Sequence, residues 1–141
     1  MTGARCINPC LREPRKNKVN NAPCIAIVDD DKSCRMALGS LVRSLGYRPC
    51  LFSSAEEFLA STDIDNTDCL ISDVQMPGMD GLDLQRKLTE TERHIPIIFI
   101  TAYPKETVRT RAVTAGAVCF LAKPYNAQVI IDCIERIVSK G

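Results

Sequence analysis

The side chains in this sequence with chemistry to offer sit where apolar runs end. Asp29 and Asp30 follow the run Cys24–Val28, Asp73 follows residues 69–72, Thr101 follows residues 95–100, and Lys123 and Pro124 follow residues 118–122. In a parallel sheet every strand C-terminus emerges on one edge, so these side chains would meet in one crevice. Carboxylates crowded into a partly desolvated pocket repel one another. A hard divalent cation that takes oxygen ligands and keeps some of its waters, such as Mg²⁺, relieves that repulsion. An acid after a strand can instead cap the next helix, a role open to Asp31. Capping does not account for three acids gathered with a lysine from another strand end. A carboxylate on such an edge can attack phosphorus and form an acyl phosphate. Asp73 is the favoured nucleophile, because it ends a central strand and a tight loop exposes it. Lys123 would pair with phosphoryl oxygens and Thr101 would donate a hydrogen bond to them. Phosphoryl transfer needs mainly such alignment and charge neutralisation.

The elements that must position these residues alternate regularly from residue 23 onward. Strand-like runs are expected at Cys24–Val28 and at residues 47–52, 69–72, 95–100 and 118–122. The run at 95–100 is continuous and β-branched, the mark of burial on both faces. Between the runs lie helical patterns. The first is capped by Ser33 and extends to about residue 45, with Met36, Leu38, Leu41, Val42 and Leu45 on its apolar face and Gly46 at its end. Ser53-Ser54-Ala55-Glu56-Glu57 reads as a capping box twice over, opening a short helix to about residue 60. Helices are expected over about 82–91, after a Pro/Gly loop at 76–81, and over about 105–115, ending at Gly116. Asn126 can cap the last helix, with Val129, Ile130, Ile134, Ile137 and Val138 on its apolar face. Five βα units with short connections predict an α/β fold, a parallel sheet covered on both faces.

The chain has 141 residues and a net charge of +1, within the range of one domain with a real core. Residues 1–22 carry Arg5, Arg12, Arg15, Lys16 and Lys18 against Glu13, a net of +4 that leaves −3 for the rest. An acidic folded part argues against direct nucleic-acid binding by the domain. Residues 1–22 show no periodicity and are read as a flexible basic extension, with residues 23–141 as the domain. No apolar run approaches the roughly 20 residues of a membrane span, and no secretory h-region opens the chain, so a cytoplasmic location is expected. Eight cysteines suggest a disulfide framework. However, Cys24, Cys69 and Cys119 fall inside strand runs, and Cys34 and Cys133 inside helical ones, where free buried cysteine stands in for a small apolar residue. Cys6 and Cys10, a Cys-x3-Cys pair with no histidine nearby, are read as exposed thiols rather than metal ligands.

Four motifs carry a resemblance to a known family. Val28-Asp29-Asp30-Asp31, the stretch Ile71-Ser72-Asp73-Val74-Gln75-Met76-Pro77-Gly78-Met79-Asp80-Gly81, Ile100-Thr101-Ala102 and Lys123-Pro124-Tyr125 resemble the receiver domain of two-component response regulators. Pro96-Ile97-Ile98-Phe99-Ile100-Thr101 and Ala115-Gly116-Ala117 are most similar to FixJ-type receivers. The resemblance spans about residues 23–140. It implies a flavodoxin-like (CheY-like) doubly wound sheet of order 2-1-3-4-5. It implies that Asp73 accepts a phosphoryl group from a sensor histidine kinase, with Mg²⁺ held by Asp29, Asp30, Asp73 and the Gln75 backbone carbonyl. It further implies a cis Lys123-Pro124 bond, as proline permits, and a switch in which Thr101 and Phe120 move together. The surface of the fourth helix, fifth strand and fifth helix becomes the output face, open to a downstream effector, a phosphotransfer protein or a homodimer partner. The chain is thus expected to be a signalling phosphoacceptor, stand-alone or isolated from an effector domain, rather than an enzyme with a separate substrate. In this family acyl-phosphate lifetime depends on the residues two beyond Asp73 and two beyond Thr101. Those are Gln75 and Tyr103, and the bulk of Tyr103 predicts slow hydrolysis.

Other readings fit less well. A haloacid-dehalogenase-type hydrolase needs an acid two residues after its nucleophile, where this chain has Gln75, and it needs room for a cap. A nucleotide-binding domain would show a glycine-rich fingerprint after the first strand, and none is present. A receiver-like module that is never phosphorylated would not require the whole set of site residues.

Overall fold

The computed structural model describes residues 22–140, so residues 1–21 of the basic extension, with Cys6 and Cys10, lie outside the described residues. Five strands, β1 (Cys24–Val28), β2 (Arg48–Phe52), β3 (Cys69–Asp73), β4 (Ile97–Thr101) and β5 (Cys119–Ala122), pair in the order β2-β1-β3-β4-β5. Every pairing is parallel. Helices α1 (Lys32–Ser44), α2 (Ala55–Leu59), α3 (Gly81–Glu90), α4 (Glu106–Thr114) and α5 (Ala127–Lys140) connect and follow them. The parallel α/β sheet is what the alternation predicts, and its doubly wound, flavodoxin-like order is the one the resemblance implies.

Strand periodicity divides the core into two layers. Ile25, Ile27, Ile71, Ile98 and Ile100 point to one face, where Leu38 and Val42 of α1 and Ile130 and Ile134 of α5 cover them. Ala26, Val28, Leu70, Ile97, Phe99 and Phe120 point to the other, under Phe58 of α2, Leu84 and Leu88 of α3 and Ala112 of α4. All of β1, β3 and β4 is buried. Each fully buried side chain the size of Leu70 or Phe99 contributes about 1.5–3 kcal/mol relative to exposure. That sum holds the strand ends, and hence the acids on them, in place.

The helix ends follow local chemistry, with some corrections to the sequence reading. Asp31, not Ser33, caps α1: its side chain accepts from the Cys34 N–H at 3.2 Å. The cap of α2 is shared between the two serines. Ser54 Oγ accepts from the Glu57 N–H, while Glu57 Oε1 accepts from the Ser53 N–H at 2.7 Å. Asp80 and Asp83 form a reciprocal capping box for α3. Gly46 and Gly116 take left-handed φ values of 90° and 108° just past α1 and α4, a conformation that costs glycine little. Met36 and Val129, read as core-facing, are exposed at 51% and 41% because the apolar stripes of α1 and α5 are narrower than the sequence suggested. The reading of the cysteines as free also fails at one pair: Cys119 of β5 and Cys133 of α5 are disulfide-bonded. These residues face each other across the layer under α5, a proximity that two positions 14 apart in sequence do not reveal.

Gly81 starts α3 directly behind β3. A β-carbon there would lie 2.5 Å from the Asp73 carbonyl oxygen and 2.9 Å from the Phe99 ring. Neither the strand end nor the ring can retreat within a close-packed layer. Gly81→Ala is expected to cost about 1–3 kcal/mol in urea unfolding, the usual penalty of overpacking. A change within experimental error would mean that the α3 start yields freely.

Candidate functional site

The strand order makes the site. Because β1 and β3 are neighbours, the acids following them emerge side by side on the C-terminal edge of the sheet. One carboxylate oxygen each from Asp29, Asp30 and Asp73 lie within 4.8 Å of one another. Asp29 is wholly buried, Asp73 nearly so, and Asp30 is exposed. Lys123 reaches in from the end of β5: its Nζ donates to Asp29 Oδ2 at 3.2 Å and to Asp73 Oδ2 at 3.3 Å. The Lys123 backbone N–H donates to the Thr101 carbonyl at 2.8 Å, and the Lys123-Pro124 bond is cis, as the resemblance implies. Thr101 is fully buried between these strand ends, and its Oγ1 accepts the Tyr103 N–H at 3.0 Å.

The charges in the pocket act on one another. Burial raises the Asp73 carboxyl above the usual carboxylate range, and the Asp29 charge raises it further. The Lys123 ammonium and the Gln75 N–H, which donates to Asp73 Oδ1 at 3.2 Å, offset part of that rise. Burial alone would lower the Lys123 ammonium, but Asp29 and Asp73 outweigh it and hold the group protonated well above the usual lysine range. One ammonium therefore serves two buried carboxylates, and a third carboxylate stands at the mouth. The donor set is all oxygen, anionic and open to solvent on the Asp30 side. It fits a hard divalent cation such as Mg²⁺, with the Gln75 carbonyl close in sequence.

The structure thus brings together Asp29, Asp30, Asp73, Thr101 and Lys123, the five residues singled out in the sequence. Phe120 lies one layer deeper, nearly buried, its ring centroid 6.5 Å from that of Phe99. Tyr103 is 64% exposed at the rim. Three supporting residues were not singled out. Arg35 Nη1 donates to the Asp29 carbonyl at 2.7 Å, and Glu56 Oε2 accepts the Met79 N–H at 3.1 Å, tying α2 to the loop after β3. Cys34 Sγ lies 3.6 Å from Lys123 Nζ. A basic residue in the second turn after the acids was the available signal for Arg35. Glu56 and Cys34 act across 23 and 89 residues and left no local trace.

The response regulator receiver domain family matches residues 25–135 of this chain. Nodulation protein W of Bradyrhizobium diazoefficiens is 44% identical over 110 residues, which are 78% of this chain and 48% of that protein. Among solved structures, the response regulator StyR superposes with a TM-score of 0.78 at 41% identity, covering 84% of this chain and 60% of that one. FixJ-N superposes with a TM-score of 0.75 at 36% identity, covering 83% and 94%. The chain spans about half the length of the curated relatives it matches. With the match running from the first strand into the last helix, this chain belongs to the response regulator receiver domain family and is similar to its FixJ-type members.

Proposed function

We propose that this chain is a phosphoacceptor in which Asp73 takes a phosphoryl group from the phosphohistidine of a sensor histidine kinase. Phosphoacceptance from sensor kinases is the family's function. The observation that carries the reading for these residues is the Lys123 ammonium spanning Asp29 and Asp73, beside a third carboxylate, at one sheet edge. An Asp73 carboxylate oxygen bonds to phosphorus, the phosphorus–nitrogen bond breaks, and the imidazole leaves. Lys123 and the Thr101 hydroxyl face the oxygens of the incoming group and offset their charge. Asp29, Asp30, Asp73 and the Gln75 carbonyl would hold Mg²⁺, which when bound neutralises the carboxylates and the phosphoryl oxygens together. The product adds about −1.5 to −2 charges at neutral pH. Thr101 and Phe120 would relay that change to the surface of α4, β5 and α5, where an effector, a phosphotransfer protein or a second copy would dock. The domain is a signalling element whose only chemistry is its own phosphorylation and slow dephosphorylation. No helix among the described residues is long and apolar enough to cross a membrane, and a cytoplasmic site of action follows from a kinase donor.

Intact mass after incubation with acetyl phosphate and Mg²⁺ tests the reading. The wild type should gain one phosphoryl group, and Asp73→Asn or added EDTA should abolish the gain. A folded wild type that stays unmodified would turn the assignment toward a phosphorylation-independent module.

The pocket electrostatics set a second outcome. Without a cation, Asp73 has a raised folded-state pKa, so its ionised form costs stability at neutral pH. The cost is present above the folded pKa and vanishes as pH falls toward the ordinary carboxylate value. Asp73→Asn is therefore expected to stabilise the metal-free protein at pH 7 by about 0.5–2 kcal/mol. The gain should shrink as the pH of the urea titration is lowered. An equal gain at every pH would contradict the electrostatic cause.

Tyr103 stands exposed at the rim, two residues beyond Thr101. If it screens the acyl phosphate from water, Tyr103→Ala should speed decay of the phosphorylated form severalfold. An unchanged decay rate in a discontinuous phosphate-release assay would remove Tyr103 from this role.

A further inference from the structure

The bridge between β5 and α5 has its two sulfurs in unlike surroundings. Cys119 is partly exposed at the start of β5, whereas Cys133 is buried in the layer between α5 and the sheet. Arg136, one turn beyond Cys133 on α5, places Nη1 4.0 Å from Cys119 Sγ. A guanidinium beside a sulfur favours its thiolate, the form that attacks oxidants and disulfides. The Cα atoms stand 6.8 Å apart, within the reach of a bridge, so the pair can close without moving either element far. An accessible thiol next to a cation, with a sheltered thiol in contact behind it, is the arrangement of an attacking cysteine and its resolving partner.

We propose that Cys119 and Cys133 form a thiol–disulfide couple that responds to hydroperoxides, with Cys119 as the attacked thiol and Cys133 as the resolving one. The reduced Cys119 sulfur attacks the terminal peroxide oxygen. The oxygen–oxygen bond breaks, water or an alcohol leaves, and Cys119 becomes a sulfenic acid. The Cys133 sulfur then attacks Cys119 Sγ, the sulfur–sulfur bond forms, and a second water departs. The two thiols lose two electrons and two protons, and the peroxide takes them up. Cys69 is less suited to this reaction. Burial pushes the Cys69 thiol up to about 12, out of the reactive range. Cys24 and Cys50 lie with Sγ atoms 3.2 Å apart, and Cys24 is buried.

Closing the couple fastens the middle of α5 to the residue preceding Phe120. If the phosphoacceptor reading holds, oxidation state and phosphorylation then act on one face. The thiol chemistry itself does not rest on that reading, and its test uses no phosphoryl donor.

The test starts from the whole chain reduced with a dithiol and freed of it, exposed to hydrogen peroxide, quenched with an alkylating agent and mapped by peptide mass. The Cys119–Cys133 cross-link should form before any other cysteine is lost. In Cys133→Ser, dimedone should trap Cys119 as its sulfenic acid. Arg136→Met should slow loss of the Cys119 thiol severalfold in the reduced protein, and Arg136→Lys should retain the rate. Amides of α5 should exchange more slowly in the oxidised protein than in the reduced one. Equal or earlier consumption of Cys34 or of the Cys24–Cys50 pair would overturn the proposal. So would a Cys119 rate indifferent to Arg136, a readout that survives even if Cys133→Ser does not fold.

Discussion

The crowding of carboxylates at one sheet edge is the constraint to which the other features answer. Asp29, Asp30 and Asp73 bring ligand oxygens within 4.8 Å of one another, two of them out of water. Such a group survives only if the backbone beneath it cannot relax, and only if a cation stands nearby. The backbone is fixed because β1, β3 and β4 are buried throughout. The cation comes from β5, two strands away from β3, and reaches Asp73 over the end of β4. Thr101, buried at the end of β4, lends its carbonyl to the Lys123 N–H.

A second ring of contacts keeps the loop after β3 from drifting. Gly81 N–H donates to the Val74 carbonyl at 2.7 Å, and the missing β-carbon lets the start of α3 close on the Asp73 carbonyl. Glu56 holds Met79 from the opposite side, at the point where Gly78 adopts a φ of 76°. Arg35 fixes the Asp29 peptide from α1. These contacts come from three different helices, so the acids are placed before any ligand arrives. Such preorganisation spares ordering costs at the moment of binding.

The parallel sheet, the five helices and the placing of Asp29, Asp30, Asp73, Thr101 and Lys123 at strand ends were legible because each is written locally, whereas the strand order came from the resemblance. Apolar runs end in a polar residue, and capping residues and glycines punctuate the helices. What escaped was set by three-dimensional proximity. The Glu56 contact depends on how α2 lies over the β3 loop, the Cys119–Cys133 bridge on which face of α5 meets β5, and the Cys34–Lys123 approach on how far the lysine side chain reaches across the sheet edge. Met36 and Val129 failed for a related reason. Helical spacing says which residues share a stripe, but the width of the neighbouring layer decides how much of the stripe is covered. The choice of Asp31 over Ser33 as the α1 cap turned on a two-residue difference in where α1 begins, a margin that propensities do not resolve.

On the phosphoacceptor reading, the hydrogen bond between Thr101 Oγ1 and the Tyr103 N–H sets the cost of the switch. Thr101 is buried, so turning its hydroxyl toward a phosphoryl oxygen at Asp73 gives up a neutral bond worth about 0.5–1.5 kcal/mol net. The bond gained is charge-assisted and worth about 1.5–3 kcal/mol. The difference favours turning, but only by an amount comparable to thermal energy or a few times that. Releasing the Tyr103 N–H loosens residues that are already exposed, so little else opposes the change. The same rotation alters the contents of the layer between Thr101 and Phe120, whose ring meets Phe99 edge-tilted at 60° rather than stacked. Phe120 keeps 8% of its surface exposed at the margin of the core, whereas Phe58 and Phe99 are fully enclosed, so its ring can move more cheaply than theirs. The arrangement can therefore occupy two states close in energy, as a population shift by one added charge requires.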